Sequence, residues 1–137
     1  MSVFVDSSAW FAAAVAKDRF NARAKAVLRQ SETLVTTDHV LAETWLLLNA
    51  RQGHSAAERF WAALRGGVAD VEIVGARDLE AAWLIGEVFS DHTFSLVDRT
   101  SFVVMERLGL TKAASFDRDF AIYRYGRSRD RAFEILR

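Results

Sequence analysis

The stretch Val3-Phe4-Val5-Asp6-Ser7-Ser8 constrains the fold more than any other part of the chain. An apolar, β-rich run ends in a carboxylate and two hydroxyls. Ala9-Trp10-Phe11-Ala12-Ala13-Ala14-Val15 follows at once with the composition of a helix. This is a strand-to-helix switch with Asp6 at the seam. In open α/β sheets ligands collect outside the carboxyl ends of the strands, so a carboxylate in that position is either a helix cap or part of a site.

The same alternation continues along the chain. Val3 to Asp6 reads as a strand and Ser8 to Ala16 as its helix, and alanine-rich Phe20 to Arg29 carries apolar residues at helical spacing. Leu34 to Thr37 suits a buried parallel strand, and Asp38 is placed to cap the strongest helix, Val40 to Ala50. Beyond Gly53, Ser55-Ala56-Ala57-Glu58 resembles a capping box for a helix that reaches Leu64 and stops at Gly66-Gly67. Val71 to Val74 is a strand, Asp78 to Phe89 a helix, and Ser95 opens a further helix to Leu108, with Gly109 as its stop. Lys112 to Phe116 is a strand, Arg118 to Tyr123 a helical turn, and Ala132 to Ile135 a last strand. Parallel neighbours need crossover connections, so this order predicts a three-layer α/β/α fold around a mostly parallel sheet of four to five strands. A chain of 137 residues supports one such domain, spanning 1–137.

Composition narrows the chemistry. Hydrophobic residues make up 51% and charged residues 26%, which are globular proportions, and the absence of cysteine removes disulfides and thiolate metal sites. No apolar run approaches the roughly 18 residues of a spanning helix, and no secretory signal precedes the first strand. The expectation is a soluble, cytoplasmic protein with no membrane association. Net charge is zero, so a broadly electropositive surface is not indicated, although Arg124, Arg127, Arg129 and Arg131 concentrate base near the carboxyl end.

Four carboxylates stand where strands end or helices begin. On the Val40 to Ala50 helix, Glu43 lies on the line from Val40 to Leu47 and is expected to point inward, the alternative being a solvated place at the edge of the apolar stripe. A buried carboxylate without a cation costs several kcal/mol or is protonated. Asp98 sits in the first turn of an otherwise apolar helix, and Asp117 follows the fourth strand as Asp6 follows the first. Asp98 alone reads as a helix-dipole partner and Asp117 alone as a cap, each worth about 1 kcal/mol or less. Together the four converge on one rim of a parallel sheet, where unpartnered carboxylates repel and raise one another's pKa. The partner this implies is a hard divalent cation, Mg²⁺, with oxygen ligands and retained waters. His39, His54 and His92 are scattered and lack zinc spacing, and there is no glycine-rich phosphate loop or nucleophile elbow. The pattern suggests phosphodiester hydrolysis by metal-activated water; an aspartyl-phosphate phosphatase is a further reading from Asp6 at a strand end, but Ser8 stands where such enzymes carry a second aspartate.

The blocks Val3-Phe4-Val5-Asp6-Ser7-Ser8-Ala9-Trp10, the Glu43 helix, Phe94-Ser95-Leu96-Val97-Asp98-Arg99-Thr100-Ser101-Phe102 and Ser115-Phe116-Asp117-Arg118-Asp119-Phe120 resemble the four motifs of PIN-domain ribonucleases, in particular VapC-type toxins of bacterial toxin–antitoxin pairs. The resemblance implies a PIN-like fold with Mg²⁺ or Mn²⁺ held by Asp6, Glu43, Asp98 and Asp117, and Asp119 is an additional acid beside the fourth. It implies an endoribonuclease that leaves a 5′-phosphate and a 3′-hydroxyl, an RNA substrate, a small cognate antitoxin, and a homodimer. Ser8 matches the hydroxyl after the first acid, and Ser101, a turn beyond Asp98, is a candidate to hold a metal-bound water. Both also read as plain helix-start residues. Trp10, Phe11 and Trp45 are either an antitoxin contact or core. A PIN nuclease of RNA processing without an antitoxin and a catalytically silent RNA- or protein-binding domain are the alternative readings.

Overall fold

The computed structural model describes residues 2–31 and 33–137. Five parallel strands form one sheet in the order β3-β2-β1-β4-β5: β1 (Ser2–Val5), β2 (Thr33–Thr37), β3 (Asp70–Glu72), β4 (Lys112–Ala114) and β5 (Glu134–Leu136). Among the described residues seven helices flank it: α1 (Ser7–Ala14), α2 (Asn21–Gln30), α3 (Asp38–Gln52), α4 (His54–Arg65), α5 (Ala76–Val88), α6 (Leu96–Leu108) and α7 (Asp119–Ile122). Each expected element is present, with ends moved by at most two residues. Among the described residues no helix is long and apolar enough to cross a membrane.

The centre of the sheet is β1, and its sequence explains why. Val3, Phe4 and Val5 are buried, as are Ala113 and Ala114 of the neighbouring β4, because a central parallel strand is covered on both faces. Small alanines on β4 leave room for the ring of Phe4, which stacks 6.3 Å from Phe120. Strand order runs outward from β1 to β2 and β3 on one side and from β4 to β5 on the other. The direction of winding therefore reverses between β1 and β4, and the crevice at their carboxyl ends is the topological switch point of the sheet. The amide of Asp6 donates to the Ala114 carbonyl at 3.0 Å, carrying the β1–β4 pairing to the residue that faces this crevice.

Several caps differ from expectation. Thr37, not Asp38, caps α3: its hydroxyl accepts from the Val40 amide at 3.0 Å, while Asp38 turns away to accept from the Val74 amide at 2.9 Å. Ser55 does not open a capping box either. Gly53, at φ 98°, joins α3 to α4 in a backbone region that disfavours side chains, and Glu58 accepts from the Trp45 indole at 3.0 Å. The real tie at a helix start is at α5, where Asp78 accepts from the Gly75 amide at 3.0 Å and takes a two-pronged bond from Arg107 at 3.0 and 3.1 Å. Burial works against the ionised form of Asp78, but the Gly75 amide and Arg107 outweigh it and hold its carboxyl below the usual range. Arg107 also reaches Glu72 at 3.2 Å, so a single guanidinium joins α6, α5 and β3.

An aromatic cluster fills the space beneath α6 and α7. Phe102 and Tyr123 stack at 4.2 Å, with Phe94, Phe120 and Phe133 around them. The Tyr123 hydroxyl donates to Glu106 at 2.8 Å and accepts from Arg129 at 3.0 Å. Burial, followed by its bond to Glu106, pushes the phenol pKa well up.

Candidate metal centre and cleft

Asp6 occupies the capping position of α1 but its side chain makes no capping bond; only its backbone carbonyl accepts, from Ala9 and Trp10 at 3.1 Å. The carboxylate is 1% exposed. It rests in a cradle of hydroxyls: Ser8 donates at 2.8 Å and Ser115 at 2.9 Å to one oxygen, and the Ser7 hydroxyl lies 3.4 Å from the other. Those hydroxyls are themselves fixed, since Ser8 accepts from the Phe116 amide at 2.9 Å and Ser115 from the Asp117 amide at 3.1 Å. Burial raises the Asp6 pKa; the hydroxyls of Ser8 and Ser115 and the Ser7 amide oppose it, and the charge of Asp117 adds to the rise. Between cap and site, the side chain takes neither a capping bond nor a basic partner.

Asp98 is held by the start of α6. Ser95 caps that helix by accepting from the Asp98 amide at 3.0 Å, which fixes the first turn and leaves the Asp98 carboxylate facing the cleft. Burial, then the charges of Asp6 and Asp117 and the presence of Asp119, push its pKa up to about 8. Asp117, following β4, accepts from the Asp119 amide at 2.9 Å, a tight turn that brings both acids to the same side. Carboxylate oxygens of Asp98, Asp117 and Asp119 lie within 4.8 Å of one another.

Glu43 is placed differently from expectation. The buried line of α3 is Val40, Thr44 and Leu48, at intervals of four, and Glu43 lies beside it, half-buried. Its face of the helix, shared with Leu47 and Arg51, lines the cleft. Its carboxylate accepts from Ser7, the same hydroxyl that lies against Asp6, so the first two acids are linked through one serine.

The cleft has a volume of about 570 Å³ and is lined by Glu43, Asp98, Asp117 and Asp119 on its acidic side and by Phe11, Phe20, Phe116 and Arg51 elsewhere. Asp6 lies behind these acids rather than on the cleft wall. The structure thus groups Asp98 and Asp117, adds Asp119, sets Asp6 behind them and brings Glu43 in from α3. Ser101 does not take the role expected of it: it is fully buried and its hydroxyl donates to the Val97 carbonyl at 2.7 Å, one turn back along α6. Sequence reasoning passed over Ser7 and Ser115. The signal for Ser115 was a hydroxyl at the end of a strand two residues before an acid, a pattern with no meaning until β4 lies beside β1. Trp10 is core, packed edge-on against Phe60 at 5.7 Å with its indole N–H on Thr36 at 3.3 Å.

The donor set is all carboxylate oxygen with hydroxyl support, which suits a hard divalent cation rather than zinc or copper. Three acids within 4.8 Å and a pKa driven upward by burial and mutual repulsion are what a cation would relieve. The residues present fit such an ion.

A parallel sheet whose switch point gathers carboxylates from β1, α3, α6 and β4 defines a protein class, and the PIN domain family model matches residues 3–125. The chain belongs to the PIN domain family, whose nucleases depend on metal. It is similar to the 23S rRNA-specific endonuclease VapC20 of Mycobacterium tuberculosis, found in two strains, with 41% identity over 120 residues, covering 87% of this chain and 92% of the relative. The crystal structure of Mycobacterium tuberculosis VapC20, described as a sarcin-ricin loop cleaving toxin, superposes with a TM-score of 0.83 at 40% identity, covering 88% of this chain and 93% of that one. The resemblance read from the four sequence blocks and the fold expected from it are both borne out.

Proposed function

We propose that this chain is a Mg²⁺-dependent endoribonuclease and the toxin of a toxin–antitoxin pair. The observation that carries the reading is the convergence of Asp98, Asp117 and Asp119 within 4.8 Å at the mouth of a cleft, with Asp6 held behind them at the switch point of the sheet. Asp6, Glu43, Asp98 and Asp117 would hold the metal, with Asp119 assisting and Mn²⁺ an acceptable substitute. When bound, a hard divalent cation lowers the pKa of a water and offsets charge that develops on the phosphate. The reaction is hydrolysis of an RNA phosphodiester to a 5′-phosphate and a 3′-hydroxyl.

The chain's own residues prepare the site. Ser8 and Ser115 fix the orientation of Asp6 and favour its ionised form inside the core. Ser7 holds Glu43 toward Asp6 across the gap between α1 and α3. Asp117 and Asp119 present their oxygens from one rigid turn. We read 1–137 as a single PIN domain acting in the cytoplasm as a homodimer, restrained by a small antitoxin. Apolar surface suited to protein partners lies on α5 and α6, where Trp83, Leu84, Val88 and Leu96 are more than half exposed. The relatives' substrate makes large-subunit ribosomal RNA the first RNA to test.

Purified protein incubated with ribosomes or their RNA, with Mg²⁺, with Mn²⁺ and with EDTA, tests the proposal directly. Discrete cleavage that EDTA and Asp98→Asn both abolish is the expected result. Cleavage that persists in EDTA refutes the metal dependence, and no cleavage by a protein that binds Mn²⁺ refutes the nuclease reading. Expression with and without the adjacent small reading frame tests the toxin assignment, since only an antitoxin's presence should relieve growth arrest.

A further inference from the structure

Besides its metal-site acids the cleft is lined by aromatic side chains, Arg51 and Asp18, with Arg19 next to them in the chain. Phe20 and Phe116, from the loop after α1 and from the end of β4, stack face to face at 4.6 Å with an 8° interplanar angle. The Arg19 guanidinium lies 4.5 Å from the centre of the Phe20 ring, and Arg51 lies 5.6 Å from that of Phe11. The three rings are only half-buried and line the cleft, Phe11 and Phe116 also packing against the core, and both arginines are exposed. Neither arginine pairs with a carboxylate among the described residues.

The loop carrying Arg19 and Phe20 is pinned at two points. Asp18 accepts from the Phe20 amide at 2.8 Å, and the Asn21 side chain donates to the carbonyls of Ala12 and Ala13 at 2.8 and 3.2 Å, so the loop is tied to the end of α1. Arg51 is two helical turns beyond Glu43 on the same face of α3, about 12 Å along the axis. A cation there is displaced from the acids and meets a neighbouring phosphate rather than the scissile one.

Resting on the endoribonuclease reading, we propose that Arg51 on Phe11 and Arg19 on the Phe20–Phe116 stack form a binding subsite for unpaired RNA beside the carboxylates. Rings and guanidinium planes stack unstacked bases, and guanidiniums grip backbone phosphates. In an A-form duplex the bases are stacked on each other and these planes have nothing to receive, so the subsite selects loops and single strands over helices. It also supplies attraction that a bowl of carboxylates in a protein of zero net charge lacks.

The test uses the full chain in EDTA, where RNA is bound without metal-dependent cleavage, with a short labelled oligoadenylate and the matched RNA duplex as probes. Fluorescence anisotropy over a range of KCl concentrations gives both affinity and salt slope. Arg51→Gln and Arg19→Gln should each weaken oligoadenylate binding about 5- to 10-fold and reduce the salt slope by about 0.7, the value for one lost single-strand phosphate contact. Arg51→Lys should restore the slope, and Phe20→Leu should weaken binding with the slope unchanged, because it removes the ring against which the Arg19 guanidinium lies and no charge. In cleavage assays the same variants should raise KM about 5- to 10-fold with kcat within about twofold. Parental affinity and slope in both glutamine variants, tighter binding of the duplex, or an equal loss in Arg65→Gln, whose exposed side chain does not line the cleft, would overturn the subsite. If the parent binds oligoadenylate as described but cuts no RNA, the nuclease reading fails and the subsite stands.

Discussion

At the scale of single residues, burial decides how the carboxylates behave. Asp98, with its pKa pushed up to about 8, holds a proton at neutral pH unless a cation replaces it. Metal binding at pH 7 should therefore release close to one proton, measurable by calorimetry in buffers of different ionisation enthalpy, and apparent Mn²⁺ affinity should rise up to about tenfold per pH unit until pH 8. The sign for stability follows from the same group. Its folded pKa lies above the ordinary carboxylate value, so the metal-free fold binds the proton more tightly than the unfolded chain. Its contribution to stability is then lost as pH climbs from about 4 to about 8. Thermal denaturation in EDTA should show the melting temperature falling across that window, with Mg²⁺ restoring it most at the alkaline end. Ser115→Ala removes a hydroxyl that orients Asp6 without touching the cleft, and should lower Mn²⁺ affinity or cleavage about 10- to 100-fold while leaving the fold intact by circular dichroism.

Among the elements, two couplings hold the site in register. The first is the β1–β4 pair, which places Asp6 and Ser115 side by side although 109 positions separate them in sequence. The second is Arg107, which fastens α6, and with it the helix that carries Asp98, to α5 and β3. Arg107→Ala leaves the nearly buried Asp78 without its cationic partner, and because Arg107 is 41% exposed the expected loss of stability is about 1–2 kcal/mol by urea denaturation. Asp78 has a lowered folded pKa, so this contribution is present at neutral pH and is lost as pH falls below the usual carboxylate range; parent and variant should converge there. Gly86 is a related packing feature, since a Cβ at that place on α5 would collide with Arg99 of α6. The basic cluster read near the carboxyl end is partly structural: Arg124 donates to the carbonyls of Ala121, Ile122 and Tyr123, and Arg129 to the Tyr123 hydroxyl.

For the whole molecule, the acids of the site gather at the carboxyl edge of the sheet, whereas α5 and α6 expose large apolar side chains to solvent, interspersed with acids such as Glu87, which accepts from the Trp83 indole at 2.9 Å. If that surface forms the homodimer, Trp83→Glu with Leu84→Glu should convert the protein to a monomer by light scattering at the same concentration, and a parental mass for the double variant would assign the contact elsewhere.

The order and type of the elements were legible in the sequence because hydrophobic period and turn residues act locally: Val3-Phe4-Val5 is a strand wherever it lies, and Gly109, in the left-handed region at φ 69°, ends α6. The four acids were legible for the same reason, each standing at the end of a strand or near the start of a helix. What sequence could not decide was which of several polar groups face one another. Helical spacing alone points Glu43 inward, but the buried stripe of α3 is set by what packs against it, and the helix is rotated so that this acid meets Ser7 instead. Ser101 and Ser115 are both hydroxyls near acids; only the packing of α6 turns the first back onto its own helix, and only the pairing of β4 with β1 delivers the second to Asp6. Asp6 itself could have capped α1 on local grounds alone. Its side chain leaves the cap unmade because β4 brings Ser115 beside it and α1 turns Ser8 toward it. The sequence by itself determined the elements and the acids they carry, through interactions within a few residues; the tertiary structure alone decided the hydroxyl cradle and the grouping of charges, because both depend on strands and helices that are distant in the chain.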